Sequence, residues 1–477
     1  MTVRRMLIGG EWRTSAIKYA VHSPHNGELV AEVAFADKEM AESAVFFAAA
    51  GRTELARVPR HKRARGLRFI SDAISRREDE FARSIVLESG KPWKYAIGEV
   101  RRAVSTFSIA AGEAERFQGE LVPLDVTSAA EDRFGYTSFI PRGVVFGITP
   151  FNFPLNLVAH KVAPAIASGN AAIIKPSEKT PLTSLLLAEV FLESGLPASA
   201  LQVVPMEIET LKRILPMAEI AMISFTGSEN VGFGLRREYA EKHVALELGG
   251  NAPVIVDETA NLEDAAARIA AGAYAYSGQV CISVQRIIVA DSIAEKFKTL
   301  LMEKAKRLKR GDPLDPKTDI AEMITDEAAK NTRRRLDSAR SSGAEVISFG
   351  EDEGRFVPPA LVLNAKPLME VMSEEVFAPI ATFETFEKFE DAVKRANNGR
   401  FGLQAGVFSN NLENVATAIR ELSFGGVIIG DAPTFRVDNM PYGGVAKSGI
   451  GREGIRWAME DMCEIKMIAI RSGGRAV

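Results

Sequence analysis

From Gly143 onward the sequence alternates short apolar runs with helical stretches, and it does so twice. Residues 144–148, 171–175, 201–204, 222–226 and 244–248 read as strands, with helices between them, such as 182–194 ahead of Gly195. A second series begins at 252–256 and continues through 286–289, 345–348 and 426–429. Alternation of this kind predicts parallel sheet wound on both faces by helices. The expected fold class is α/β, with two doubly wound open-sheet units meeting near Gly249-Gly250. No repeat period, low-complexity tract or long linker separates them, so they are expected to pack directly.

Length fits that reading. At roughly 150 residues per domain, 477 residues give about three units, and 46% hydrophobic with 25% charged residues is ordinary globular composition. Fifty-nine basic against 62 acidic side chains leave a net charge of −3, which lacks the clustered positive charge of a nucleic-acid or anionic-membrane partner. Two cysteines argue against a disulfide scaffold, and five histidines without close ligand spacing argue against a zinc site. No metal is expected. The first ten residues carry too short an apolar run for a secretory signal, and the apolar region 144–174 is broken by Asn152, Asn156, His160 and Lys161. A cytoplasmic location is the default expectation.

The first fifty residues read as a short β meander, 6–12 and 29–34, with Pro24-His-Asn-Gly27 as a turn. Helical periodicity runs from Asp37 to Glu115 and is punctuated at Ser89-Gly-Lys-Pro92. Residues 133–140 alternate and suit an extended arm.

Five positions carry candidate chemistry. Cys281, in Ser277-Gly-Gln-Val-Cys281, follows a small-residue helix and precedes an apolar strand, where a nucleophile is exposed on a rigid scaffold; the competing reading is a buried structural cysteine. Glu247, at the end of an apolar strand, has the surroundings of a general base, against a strand-end carboxylate turned to water. Asn152, between two prolines in Pro150-Phe-Asn-Phe-Pro154, offers a fixed amide to a developing oxyanion or simply stabilises its turn. Residues 222–229 lead a strand into a helix whose first N–H groups, after Gly227 and Ser228, suit a phosphate. Lys175 and Glu178 suit a ribose, although Glu247, 20 residues after Gly227, competes for that role. Gly449-Ile-Gly-Arg-Glu-Gly454 matches a dinucleotide fingerprint but follows no good strand and reads as chance; Cys463 reads as packing.

Together the segments Pro150-Phe-Asn-Phe-Pro154, Lys175-Pro-Ser-Glu178, Phe225-Thr-Gly-Ser228, Leu246-Glu-Leu-Gly-Gly-Asn251, Gly278-Gln-Val-Cys281, Glu374-Glu-Val-Phe-Ala-Pro379 and Pro441-Tyr-Gly-Gly444 resemble the NAD(P)-dependent aldehyde dehydrogenase superfamily over nearly the whole chain. The resemblance implies an NAD-binding domain (1–117 and 138–248), a catalytic domain (249–446) and a small β oligomerisation arm (118–137 and 463–474) of a homodimer or homotetramer. It implies that the Cys281 thiolate attacks an aldehyde, that Asn152 and the Cys281 N–H hold the oxyanion, and that hydride passes to the nicotinamide. It also implies that Glu247 activates the water releasing the thioester as a carboxylate. The cofactor would meet Thr149, Pro150, Phe151, Lys175, Ser177, Phe225, Val231 and Leu248. Gly227 and Ser228 would meet its pyrophosphate, Glu178 the adenine ribose, Glu375 the nicotinamide ribose and Phe377 the ring. Glu453 falls at a family glutamate that relays protons.

NAD is the expected cofactor, with NADP possible, because Glu178 would repel a 2′-phosphate. Phe151 stands where the family commonly has tryptophan, Pro205-Met-Glu-Ile-Glu209 lacks glycines that many members carry, and Asp319-Ile-Ala-Glu-Met-Ile324 replaces a usual Gly-Pro. Glu247 argues against the acyl-CoA-forming branch. Arg102 and Arg436 replace apolar tunnel residues and His160 an aromatic, so an anionic tail is expected: phosphate, phosphonate, sulfonate or carboxylate. Glyceraldehyde 3-phosphate, phosphonoacetaldehyde and succinic semialdehyde fit, with neutral lactaldehyde as the alternative. A cysteine esterase or acyltransferase without redox chemistry, and a non-catalytic member of the fold, are the competing classes.

Overall fold

The computed structural model describes residues 3–471. An eight-stranded sheet and a seven-stranded sheet form its two centres. In the first, the five inner strands run parallel in the spatial order Leu201–Val203, Ala171–Lys175, Val144–Ile148, Ile220–Thr226, His243–Glu247. Their buried, β-branched stretches have helices on both faces, so they read as continuous apolar runs rather than alternating ones. Strand order reverses between Val144–Ile148 and Ile220–Thr226, which opens a crevice outside their carboxyl ends.

The second sheet runs Glu345–Ser348, Ala360–Leu363, Ile380–Phe386, Val284–Ala290, Ala252–Val256, Gln404–Phe408, Gly426–Ile429, parallel except for its first pair. Ala360–Leu363, Ile380–Phe386 and Gln404–Phe408 were not expected from the sequence. Thr382, Glu384 and Gln404 interrupt their apolar pattern, and each is satisfied within the sheet or its flanks; Thr382, for instance, donates to the Gln285 carbonyl.

Residues 6–12 form a hairpin instead of one strand, because Gly9 and Gly10 both take positive φ (65° and 81°) between Met6–Ile8 and Glu11–Arg13. The periodic stretch 37–115 resolves into four helices, Lys38–Leu55, Arg60–Arg76, Glu78–Ser89 and Trp93–Arg116. The Asp37 carboxylate caps the first, and left-handed Gly90 closes the third. A third sheet pairs Cys463–Arg471, Arg133–Pro141 and Leu121–Val122 in antiparallel fashion. Positions 472–474 of the expected arm lie outside the described residues. Gly449–Ile450 is a strand after all, antiparallel to Leu246–Glu247 on the edge of the first sheet, so the glycine run that follows is a sheet edge and no phosphate loop. Among the described residues, no helix is long and apolar enough to cross a membrane.

Candidate active site

The four residues between Glu247 and Ala252 join the last inner strand of the first sheet to the first strand of the second, and the site lies against this link. A cavity of about 350 Å³ is lined there by Asn152, Glu247, Cys281, Glu375, Phe377 and the Gly227-Ser228 turn. Gly249 and Gly250 are glycines for want of room. A Cβ on the first would stand 2.2 Å from Glu375 Oε2, and one on the second 2.5 Å from the Cys281 carbonyl oxygen.

Cys281 is delivered by a strained turn. Helix Leu262–Tyr274 ends in three successive left-handed residues: Tyr276 (φ 50°), Ser277 (φ 54°) and Gly278 (φ 67°). Each non-glycine residue in that region costs about 1–3 kcal/mol. The contacts that hold them are Ser277 Oγ donating to the Ala321 carbonyl (2.6 Å) and Tyr276 Oη donating to the Ser89 carbonyl (3.2 Å). The thiol is partly exposed and 3.0 Å from Tyr442 Oη. Burial pushes its pKa up to about 11, against the Tyr442 hydrogen bond and the Arg436 charge.

Asn152 follows strand Val144–Ile148 and is buried; one amide N–H donates to the Gln279 carbonyl at 2.9 Å, tying the amide to the cysteine turn. An amide carries two N–H donors, so the second remains for an oxygen bound at Cys281. Behind Asn152, Glu99 accepts from the backbone N–H groups of Leu155 (2.8 Å) and Asn156 (3.1 Å). Glu99 is itself paired with buried Lys91, which also lies 3.7 Å from the Phe153 ring centroid.

Glu247 is buried, and its Oε2 has no hydrogen-bond partner. Burial, then the nearby Glu453 charge, hold its pKa well above the usual carboxylate range. Gly443 passes over it so closely that a Cβ would stand 2.7 Å from Oε1. Lys161 lies behind, donating to Ser224 (3.1 Å) and Thr226 (2.7 Å) and sitting 3.8 Å from Glu453; burial lowers its pKa.

The cofactor residues named from the sequence fall along the crevice of the first sheet. Thr149 donates its backbone N–H to the Lys175 carbonyl (3.2 Å), and Pro150 and Phe151 line the cavity. Phe151 meets Phe377 edge-on at 6.0 Å, and Phe377 is held at φ 53°. Lys175 is buried 3.9 Å from Glu178, whose carboxylate is half-exposed, and Ser177 is buried beside them. Ser228 is the N-cap of helix Glu229–Glu238, yet no side chain caps that end, so its first N–H groups face the crevice side as free donors. Gly227 packs against the Phe225 ring, Leu248 lines the cavity, and Val231 is exposed on the helix one turn on. Glu375 accepts from the Gly250 N–H (3.0 Å), and burial raises its pKa to about 7. The residue set fits a dinucleotide: a helix start without a side-chain cap, glycines where backbone must approach, and the carboxylates of Glu178 and Glu375 as hydroxyl acceptors.

The three substrate candidates are brought together, but differently from the expectation of free guanidinium groups. Asp438 accepts from Arg102 (2.8 Å), His160 (2.9 Å) and Asn156 (3.3 Å). Against its burial, the His160 bond and the Arg102 charge hold Asp438 well below the usual range. Arg436 donates to Glu453 (2.8 Å), lies 3.2 Å from His160, and stacks 3.7 Å from the Tyr442 ring centroid; its side chain is only 6% exposed. Burial and Arg436 together lower the His160 pKa. Both arginines therefore already face carboxylates; the buried Arg436 cation would otherwise lack a counter-charge. Asp438, Lys161 and the Tyr442 hydroxyl were given no role from the sequence. A lysine inside the apolar helix Asn156–Ser168 was the one available signal; Asp438 and Tyr442 had none, since their partners lie far away in the chain.

The aldehyde dehydrogenase family model matches residues 12–468. The chain is 39% identical over 467 residues to the 3-sulfolactaldehyde dehydrogenase of Priestia aryabhattai, covering 98% of this chain and 97% of that one. The structure of aldehyde dehydrogenase 21 from Physcomitrella patens, in complex with the reaction product succinate, superposes with a TM-score of 0.97 at 33% identity, covering 100% and 99% of the two chains. Glyceraldehyde-3-phosphate dehydrogenase of Methanocaldococcus jannaschii, complexed with NADP, gives 0.91 at 36% identity, covering 96% and 100%. With a cysteine, an amide and a buried carboxylate lining one cavity, and with these likenesses along its length, the chain belongs to the aldehyde dehydrogenase family.

Proposed function

We propose that this NAD(P)-dependent aldehyde dehydrogenase oxidises a small aldehyde with an anionic tail, using Cys281 as nucleophile, Asn152 as oxyanion donor and Glu247 as general base. The observation that carries the chemistry is the meeting of Cys281, Asn152 and Glu247 on one cavity. The Cys281 sulfur adds to the carbonyl carbon, and the carbonyl electron pair moves onto oxygen. The free Asn152 N–H and the Cys281 backbone N–H meet that charge; one such donor contributes about 3–4 kcal/mol. Bound NAD(P) supplies the two-electron acceptor that converts the thiohemiacetal into a thioester. Glu247 takes a proton from the water that attacks the thioester, and the carboxylate leaves as the C–S bond breaks.

The anionic tail rests on charge. The Arg436 charge reaches the thiol, Arg102 joins it through Asp438 and His160, and the Nε atoms of both arginines have no partner. Relatives named for 3-sulfolactaldehyde and glyceraldehyde 3-phosphate, and one solved with succinate, handle anionic compounds. The pairing of both arginines with carboxylates favours a second reading, a neutral substrate such as lactaldehyde. A panel of 3-sulfolactaldehyde, succinic semialdehyde, glyceraldehyde 3-phosphate and lactaldehyde, followed by NADH absorbance, decides between them. Arg102→Ala and Arg436→Ala are expected to lower kcat/KM for the anionic members at least tenfold more than for lactaldehyde. Equal losses reject the anionic tail, and thiol-dependent ester cleavage without aldehyde-dependent NADH rejects the dehydrogenase.

NAD is the preferred cofactor in this reading, because the Glu178 carboxylate repels a 2′-phosphate; equal kcat/KM with NADP refutes it. The described residues 118–137 with 463–471 form the arm of a homodimer or homotetramer, and 249–446 the catalytic domain beside the NAD-binding one. Leu121, Phe134, Tyr136, Ile465 and Met467 leave apolar surface on that three-stranded sheet, as an interface requires.

A further inference from the structure

We infer that Tyr442 is a further catalytic residue, whose phenol donates a hydrogen bond to the Cys281 sulfur and stabilises it as the thiolate. The inference rests on Cys281 being the nucleophile proposed above, and it assigns the sulfur a dedicated donor from a loop 161 residues away.

The geometry is that of a built contact. Tyr442 is buried, and its Oη lies 3.0 Å from Cys281 Sγ. Its backbone is clasped to Glu453 by two hydrogen bonds, Tyr442 N–H to the Glu453 carbonyl at 3.0 Å and the reverse at 2.6 Å. The Glu453 side chain in turn holds Arg436, whose guanidinium carbon lies 3.7 Å from the Tyr442 ring centroid. One ion pair thus fixes both the position of the ring and the cation beneath it. A cation on a phenol ring draws electron density from it, which makes the hydroxyl a stronger donor.

The direction of the bond follows from the neighbours. Cys281 faces Tyr442, Arg436, Glu375 and Glu247; Tyr442 faces Cys281, Arg436 and Glu247. Both groups are pushed up by burial, the phenol well above its ordinary 10 and the thiol to about 11. The phenol starts higher, and Cys281 and Glu247 raise it further against Arg436, whereas the Tyr442 hydrogen bond and Arg436 lower the thiol, so the sulfur ionises first and the oxygen keeps its proton. The pair in its reactive form is S⁻ accepting from O–H. Hydrogen bonds to an ionised partner are roughly twice as strong as neutral ones, so this donor acts on the thiolate rather than on the thiol.

Tyr442→Phe keeps the ring under Arg436 and removes only the hydroxyl. The readout is alkylation of Cys281 by iodoacetamide across pH, located by mass spectrometry, with Cys281→Ala as the blank. The expected result is a rate constant about tenfold lower at each pH below the thiol pKa, equal to an upward shift of about one unit. Incorporating 3-fluorotyrosine at 442 makes the phenol a stronger donor at nearly the same size, and is expected to move the profile the other way. Thermal melting of both variants shows that the folded protein is being read. Profiles that superpose on the parent in both variants overturn the inference. The alkylation needs neither aldehyde nor dinucleotide, so a failure of the proposed reaction, seen as absent NADH formation, is told apart from a failure of Tyr442.

Discussion

Replacing Glu247 by Gln separates the two halves of the proposed reaction. The carboxyl is buried, one of its oxygens has no partner, and burial with the Glu453 charge holds its pKa above the usual carboxylate range. Glutamine is nearly the size of glutamate and brings no charge into the buried site, so the fold is expected to survive. What is lost is a proton acceptor for the water that attacks the thioester. A positioned general base contributes about 10²–10⁴ in rate, or about 3–5 kcal/mol. Acylation of Cys281 has its own donors in Asn152 and Tyr442 and is expected to persist. Stopped-flow absorbance should therefore show a burst of one NADH per subunit, followed by a steady state at least a hundredfold slower than the parent. A variant that turns over within a few-fold of the parent refutes Glu247 as base. Loss of the burst together with the steady state moves Glu247 to the ionisation of the thiol instead.

Gly249→Ala brings a Cβ to within 2.2 Å of Glu375 Oε2, so the carboxylate must move; KM for the dinucleotide is expected to rise at least tenfold with smaller change in kcat, and an unchanged KM removes Glu375 from the cofactor site. Because the Cys281 thiol is held at about 11, the thiolate fraction grows tenfold per unit below that value, and its alkylation should accelerate about a hundredfold from pH 7 to 9; a plateau below pH 8 contradicts the buried, raised thiol. Lys91→Met strands the buried Glu99 charge that anchors the Asn152 loop, and about 3–5 kcal/mol of stability is expected to go. Lys91→Met combined with Glu99→Gln should recover part of it in thermal melting, and a single variant that melts like the parent refutes the pairing.

Sequence determined the parts of this protein whose cause is local. An apolar run such as Val144–Ile148, Ala171–Lys175 or Ala252–Val256 is buried on both faces wherever the sheet places it, so its pattern alone identifies it. Cys281, Asn152 and Glu247 stood out as candidates for a related reason, since each sits where a strand or helix ends beside glycines or prolines, but only the family resemblance chose among their possible roles. Ile380–Phe386 escaped because Thr382, Glu384 and Thr385 break the period; Thr382 finds the Gln285 carbonyl and Glu384 the Arg286 charge, both on a strand remote in the chain. The same holds for the site's electrostatics. Arg102 and Asp438 are 336 positions apart, Cys281 and Tyr442 161, and no local rule says which cation will meet which carboxylate or which hydroxyl will reach a thiol. Hydrophobic periodicity records which face of an element leaves water, whereas the partner of a buried charge is chosen by where remote segments cross. Only the folded chain fixes that, and here it turned two arginines that looked free into members of a paired network beside the nucleophile.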